Sequence, residues 1–239
     1  MIPMPFTLIH KIKGFNIAEV WFAEKPYNIK GVSRASFYWC KENPDKLDGF
    51  EVSKGYYIFI DLGREIEEIK KEFEGTVIRE INKAARFDFI VRFKHLDKEV
   101  IEYHNNFIKR LGLNFPDVSL VKDAPHITAN IYLDSKLLVS QVYLKEGNML
   151  WQLLAATCED KNRQTSIAAR YLTFKVIEYG KQNNFGLLSL SSIGNNLDHL
   201  DGIGKFKAGF SKNIKQGYVY TKYYNPLLKV LANKLGKNG

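Results

Sequence analysis

Residues 149–168, MLWQLLAATCEDKNRQTSIA, join an apolar run to a polar turn and the start of a helix. The run 149–157 has the length and the apolar, partly aromatic content of a buried strand. The segment RQTS at 163–166 then opens the most apolar helix-like stretch in the chain. A helix start presents unpaired N–H groups and the positive end of the helix dipole, so this turn is a candidate anion site. An ordinary helix start capped by Thr165 or Ser166 explains the same residues equally well.

Strand and helix patterns alternate through the rest of the chain. Strands are predicted at 56–62, 89–93, 127–133, 137–144, 149–157, 187–190 and 218–224, with helices at 64–85, 97–111, from the quoted turn to about 182, and at the C-terminus. Gly75 weakens the middle of the first helix. The connections within 127–157 have hairpin length, which predicts an antiparallel meander. This mixture predicts an α/β fold, or an α+β fold with a mixed sheet.

The composition excludes several classes of protein. A hydrophobic content of 45% can furnish a sizeable core, so a globular domain is expected. Two cysteines are too few for a disulfide scaffold, and no Cys/His cluster has metal-ligand spacing, so no metal is expected. No apolar run approaches the roughly 20 residues of a membrane span. The N-terminus lacks the apolar segment of a signal peptide, and we expect a cytoplasmic protein.

The formal net charge of +9 points to anionic partners: nucleic acid, nucleotide-like cofactors or acidic lipid headgroups. The Lys and Arg residues are dispersed rather than collected in a tail. This distribution favours a charged cleft over a disordered basic arm, although a plainly solvated surface has the same composition.

Several segments carry a resemblance to a known family. ARYLTFKVIEYGKQNNF (169–185), LSLSSIG (188–194) and GIGKFKAGF (202–210) resemble the C-terminal half of Fem-type peptidyltransferases and their single-domain relatives in the GNAT-type acyltransferase superfamily. YIFIDL and REINKAAR are similar to the start of that domain. The resemblance implies a GNAT-like acyl-CoA acyltransferase fold at 56–239, with a largely antiparallel central sheet flanked by helices. Residues 1–55 are then a β-rich extension or a reduced lobe.

The resemblance implies a function as well. It implies an N-acyltransferase that moves an acyl group from acetyl-CoA or another acyl-CoA to an amine, by direct attack in a ternary complex. The acceptor is then a small molecule or a cell-envelope precursor, such as an amino sugar, a nucleotide sugar or a peptide. Two alternatives stay open: a peptidyltransferase that uses aminoacyl-tRNA, and a non-catalytic GNAT-like binding module. Fem enzymes often carry a long helical arm that this sequence lacks, and the oligomeric state is left open.

The resemblance assigns the donor site to the stretch quoted first. GNAT enzymes have a turn R-x-x-G-x-G or R-x-x-G-x-A before the main helix, and 163–168 fits it with serine in place of the first glycine. Donor phosphates are then expected on Lys161 and on Arg163, Gln164, Thr165, Ser166 and Ala168. The preceding strand pairs with the pantetheine arm in GNAT enzymes, which implies that role for Leu154, Ala155, Ala156 and Thr157.

Catalytic and acceptor-binding residues are expected elsewhere. The resemblance places Lys207 of FKAGF beside the active site, where it meets a phosphate or the developing oxyanion. An amine acceptor must lose a proton, so His126 and Asp160 are candidate bases, with Glu159, Asp198, His199 and Asp201 as further choices. Arg79, Lys83 and Arg86 share one helix face and, with Lys205, are candidates for binding an anionic acceptor. Tyr220, Tyr223 and Tyr224 are candidate acids for the leaving thiolate, and Cys158 is expected to be buried.

Overall fold

The computed structural model describes residues 5–40, 47–113, 115–160 and 162–235, and for 231–235 the backbone alone. The strands are β1 (Phe6–Ile12), β2 (Phe15–Trp21), β3 (Arg34–Tyr38), β4 (Glu51–Asp61), β5 (Ile90–Lys94), β6 (His126–Leu133), β7 (Lys136–Glu146), β8 (Met149–Thr157), β9 (Leu187–Gly194) and β10 (Ile214–Tyr223). The helices are α1 (Ile66–Lys71), α2 (Gly75–Ala84), α3 (Lys98–Leu111), α4 (Arg163–Gln182), α5 (Gly202–Ala208) and α6 (Pro226–Leu235), with a 3₁₀ turn at Val118–Val121. No helix in these ranges is both long and apolar enough to cross a bilayer.

The chain divides into two compact units. Unit 1 consists of residues 1–55 and 216–239, and unit 2 consists of residues 56–215. The division predicted from sequence, 1–55 and 56–239, stays a prediction; by packing, the C-terminal residues group with unit 1. In unit 1 the order β1-β2-β3-β10 contains a parallel β2–β3 pair between antiparallel neighbours. Its core includes the fully buried rings of Phe37 and Tyr220.

Unit 2 is built on strands in the order β4-β9-β8-β7-β6-β5. The β8–β9 pair is parallel, and the other pairs are antiparallel. The predicted meander of β6, β7 and β8 is confirmed, as is the mixed α/β class. The sheets are mixed, however, because each unit contains a parallel pair that the expectation of a largely antiparallel sheet did not include.

Helices cover both faces of the unit 2 sheet. Successive residues of a strand point to opposite faces. On β7, Ser140 contacts His104 of α3 at 2.8 Å, whereas Gln141 donates to Thr173 of α4 at 3.0 Å. Helices α3 and α4 therefore lie on opposite faces, and α4 buries its apolar stripe against β6–β9.

The helix predicted at 64–85 is interrupted before Gly75, giving α1 and α2. The interruption is fixed by tertiary contacts. Glu72 accepts hydrogen bonds from Arg64 and from Ser211, and the amide of Glu74 donates to the carbonyl of Gly209 at 2.8 Å. These contacts start α2 in a defined direction beside α4.

Candidate functional site

Strands β8 and β9 part near the middle of the unit 2 sheet. Their parallel register runs from Met149↔Leu187 to Trp151↔Ser189 and goes no further. Beyond Trp151, β8 continues to Thr157 with β7 as its partner. Within the part of the chain that the structure describes, the other edge of β8 has no strand partner beyond this point. The two strands therefore enclose an opening, and the edge of β8 that borders it is unpaired among the described residues.

A β-bulge lies at the point of parting. Tyr143 pairs with Gln152, and Val142 pairs with Leu154, so Leu153 is an extra residue on β8. A bulge bends its strand and increases the local twist. The parting of the two strands is therefore built into β8 itself.

One hydrogen bond shows which amides of β8 face β7 and which face the opening. The amide of Cys158 donates to the carbonyl of Leu138 on the β7 side at 2.9 Å. Because amide groups alternate between the two edges of a strand, those of Ala155 and Thr157 face the opening. The Thr157 carbonyl already accepts from Arg110 at 2.8 Å. Of the four residues predicted to hold a donor arm, Ala155 is exposed and has its amide on this edge, whereas the side chain of Ala156 is fully buried.

The start of α4 differs from a glycine-rich phosphate loop. Asn162 is the N-cap, and its side chain accepts from the amide of Thr165 at 3.0 Å. The amide of Ser166 donates to the Asn162 carbonyl at 3.3 Å, so neither Thr165 nor Ser166 presents an unpaired amide. The expected cap at Thr165 or Ser166 is corrected to Asn162. Asn162 stands three positions before the amide that it caps, which is the usual spacing of an N-cap.

Two residues predicted to contact donor phosphates point into the protein. Thr165 is 4% exposed, and its hydroxyl donates to the carbonyl of Asp160 at 2.9 Å. Ala168 is fully buried in the core. Arg163 and Gln164 are exposed, and among the described residues nothing accepts from their amides. Lys161, the other charge expected in this turn, lies outside the described residues.

A charged cluster ties α4 to α2. Arg170 donates to Glu80 at 2.6 Å and to the hydroxyl of Ser166 at 3.0 Å, and that hydroxyl donates to Glu80 at 3.3 Å. Both charged side chains are largely shielded from water, at 19% and 21% exposure. No local sequence pattern predicts this cluster, because Glu80 and Arg170 are 90 residues apart.

Next to this cluster, α2 lines a cavity of about 500 Å³, called here the α2 pocket. Its lining includes Arg79, Lys83 and Arg86 together with Gly75, Ile78 and Asn82. The pKa of Lys83 is lowered, first by loss of water around the amine and then by three guanidinium groups, those of Arg163, Arg79 and Arg86. The sequence assigned Arg163 to the donor and Arg79 and Lys83 to the acceptor. The structure brings their charges together, because the contact between Glu80 and Ser166 sets α2 beside the start of α4.

Lys207 lies on α5, which packs against β9. A side chain at Gly204 would put its Cβ 2.8 Å from the Ile193 carbonyl, so glycine is required for this close approach. Lys207 is half-buried, and its Nζ donates to the carbonyl of Ser192 at 2.9 Å. Burial lowers the pKa of Lys207 to about 8, against the opposing charge of Asp201. Lys205 is exposed on the same helix, and no described contact joins it to the α2 pocket.

Strand β9 carries backbone strain close to Lys207. Ser191 has a φ of 66°, a left-handed conformation that serine rarely adopts. Its amide donates to the Ser189 hydroxyl at 3.0 Å, and the β4–β9 register is irregular in this part of the strand. Strain of this kind clusters at ligand sites, and here it falls on the strand that borders the opening.

The candidate bases are not brought to the opening as free groups. His126 uses both ring nitrogens, since Nε2 accepts from the amide of Leu96 at 3.0 Å and Nδ1 donates to the Ala124 carbonyl at 2.8 Å. Burial lowers the pKa of His126, so the ring is a neutral structural group. Asp160 bonds Lys136 at 2.8 Å, and this bond lowers the pKa of Asp160.

The remaining candidates have other surroundings. Glu159 lies 3.6 Å from Arg110, Asp201 caps α5, and Asp198 and His199 are exposed. Tyr220, Tyr223 and Tyr224 belong to unit 1. Cys158 is buried, and the described residues contain no cluster able to hold a metal ion.

Several solved structures of known proteins share the fold of this chain. No family model and no curated protein matches the chain. The C-terminal domain (DUF2156) of an Agrobacterium fabrum protein assigned as a lysylphosphatidylglycerol synthetase matches with a TM-score of 0.59 and 14% identity, over 96% of this chain and 83% of that one. FemX matches with a TM-score of 0.58 and 10% identity, over 94% of this chain and 85% of that one. A GCN5-related N-acetyltransferase from Kribbella flavida matches with a TM-score of 0.50 and 13% identity, over 94% of this chain and 88% of that one. The chain therefore has a GNAT-like, Fem-related fold.

Proposed function

We propose that this protein is an N-acyltransferase that takes an acyl group from acyl-CoA and passes it to an amine. The observation that carries the proposal is the opening between β8 and β9, where a bulged strand leaves one edge unpaired. An extended arm such as pantetheine adds to an available strand edge by main-chain hydrogen bonds. The amide of Ala155 lies on this edge, and its small, exposed side chain allows close approach.

The donor's phosphates then lie toward the start of α4. Strand β8 leads from the bulge at Leu153 to the turn before Arg163. An arm along this edge therefore has the acyl carbonyl near the bulge and its phosphates near Arg163 and the α2 pocket. Guanidinium and ammonium groups bind phosphate there together with the amides of Arg163 and Gln164, because the amides of Thr165 and Ser166 are already used.

The transfer is a direct attack. The amine nitrogen bonds to the thioester carbon, the C–S bond breaks, the thiolate of CoA leaves, and the amine releases one proton to water. Lys207 neutralises the charge that develops, and its pKa of about 8 keeps much of the amine protonated near neutral pH. His126 and Asp160 are not part of this proposal, because their acceptor atoms are engaged.

Aminoacyl-tRNA is the second candidate donor, and the cation cluster is compatible with it. The four positive charges of Arg79, Lys83, Arg86 and Arg163 suit a nucleic-acid backbone as well as they suit the three phosphates of CoA. The likeness to FemX supports the same choice at the level of the fold. With either donor, the proposed acceptor is a small amine or a cell-envelope precursor. A lysylphosphatidylglycerol synthetase among the similar structures adds a phospholipid headgroup to that class.

Thermal stabilisation by acetyl-CoA, longer acyl-CoA species and aminoacyl-tRNA separates these donors. A shift with an acyl-CoA that is lost in Arg163→Gln supports the proposal, and Arg92→Gln is the matched control because Arg92 lies on the edge strand β5. Release of free CoA thiol in the presence of a panel of amines then identifies transfer. A salt-sensitive shift with tRNA alone promotes the second donor. Absence of any shift with all donors contradicts both candidates and leaves the non-catalytic module.

A further inference from the structure

Lys83 is an amine surrounded by guanidinium groups. It is half-buried in the wall of the α2 pocket, with Arg79 and Arg86 on the same helix face and the charge of Arg163 acting from α4. The acid facing it is Glu80, whose carboxylate is held by Arg170 and Ser166. Lys83 therefore has anion-binding groups around it, and the nearby carboxylate of Glu80 is already bonded to two residues of α4.

Most lysines with a described partner instead lie beside a carboxylate. Lys136 bonds Asp160 at 2.8 Å, and Lys229 bonds Glu51 at 2.7 Å. These bonds raise the pKa of both lysines, which keeps them as ammonium ions that do not attack a carbonyl. The pKa of Lys83 shifts the other way, so a larger fraction of its amine is neutral and nucleophilic. Lys207 shares the lowered pKa, but its Nζ is held by a carbonyl on β9.

We propose that Lys83 is an acylation site for acyl phosphates, in which the surrounding guanidinium groups bind the phosphate and Lys83 receives the acyl group. An acyl phosphate carries its phosphorus atom two bonds from its carbonyl carbon. A pocket that binds the phosphate through Arg79, Arg86 or Arg163 thus holds the carbonyl close to Lys83. The site needs a small, phosphate-bearing acylating agent, which a cavity of about 500 Å³ accommodates.

The step balances without a further reactant. The neutral Nζ of Lys83 attacks the acyl carbon, the C–N bond forms, and the C–O bond to phosphate breaks. Inorganic phosphate leaves and Nζ releases one proton to water. The product is an uncharged amide, so one of four positive charges is lost from the cluster. If the cluster holds donor phosphates, as proposed above, acylation of Lys83 weakens donor binding; the modification itself does not depend on that function.

The test compares two reagents on the full chain. Acetyl phosphate carries a phosphate, whereas N-hydroxysuccinimidyl acetate is an uncharged acetylating agent. Peptide mass spectrometry gives the initial acetylation rate at Lys83 and at Lys98, an exposed lysine of α3 that lies 3.8 Å from Glu102. We expect the Lys83-to-Lys98 rate ratio to be about tenfold higher with acetyl phosphate, the lower end of the enrichment that a charged cleft gives an anion. Inorganic phosphate should reduce this preference.

Variants identify the groups responsible. Arg79→Gln and Arg86→Gln should each lower the rate at Lys83 with acetyl phosphate and leave the rate at Lys98 unchanged, whereas Arg92→Gln should change neither. Equal rate ratios for the two reagents in the wild-type protein would overturn the proposal. Failure of acyl-CoA and tRNA to stabilise the protein would instead overturn the proposed function. Lys83→Gln, which copies the charge of the acylated lysine, should weaken donor binding only if that function holds.

Discussion

Replacing Lys207 with methionine changes how stability depends on pH. Lys207 has a pKa of about 8 in the folded protein, against an ordinary value of 10.5. Between these values the unfolded chain binds a proton that the folded chain does not, so wild-type stability rises with pH relative to the variant. Full linkage gives about 1.4 kcal/mol per pH unit and a ceiling of roughly 3 kcal/mol. Because Lys207 is only half-buried, we expect a gain of about 1.5 kcal/mol.

Urea denaturation at pH 7, 8, 9 and 10 measures this difference. Below about pH 8 the free-energy difference between wild type and Lys207→Met should be constant, and it should then move in favour of the wild type as pH rises to 10.5. Lys205→Met is the matched control on the same helix, because Lys205 is exposed. A difference for Lys207→Met that stays flat from pH 7 to pH 10, or that moves against the wild type, would contradict a lowered pKa for Lys207 in the folded protein.

Three further changes test the packing that positions the site. Glu80→Gln leaves Arg170 without its charged partner and should destabilise the protein by about 2 kcal/mol in urea, a cost that adding Arg170→Met should partly recover. Gly204→Ala puts a Cβ 2.8 Å from a carbonyl of β9 and should cost about 1–3 kcal/mol, whereas Gly202→Ala, with open space around it, should be nearly neutral. Asn162→Ala should cost about 1 kcal/mol by loss of the helix cap, and an unchanged urea midpoint would contradict that cap.

The sequence predicted the elements that depend on local pattern. The run 149–157 becomes β8 with the same ends, because an apolar stretch between two polar turns has few other conformations. The helix start was placed correctly, but its cap was not. Asn162, Thr165 and Ser166 are all capping types, and only the folded turn decides which side chain faces the free amide.

Features that join distant segments could not be predicted in this way. The bulge at Leu153 exists only relative to the register of β7. The closeness of Arg163 to Lys83 follows from the packing of α2 on α4, which no local pattern encodes. His126 was a reasonable candidate base by residue type, but its ring nitrogens are taken by the backbone of the loops around it.

Amide hydrogen exchange along β8 shows directly whether an acyl donor pairs with the open edge of this strand beyond the bulge. With saturating donor, the amide of Ala155 should exchange more slowly, while the amide of Cys158, already bonded to β7, should change little. A donor that stabilises the protein yet leaves exchange at Ala155 unchanged, with protection appearing elsewhere, would contradict the account.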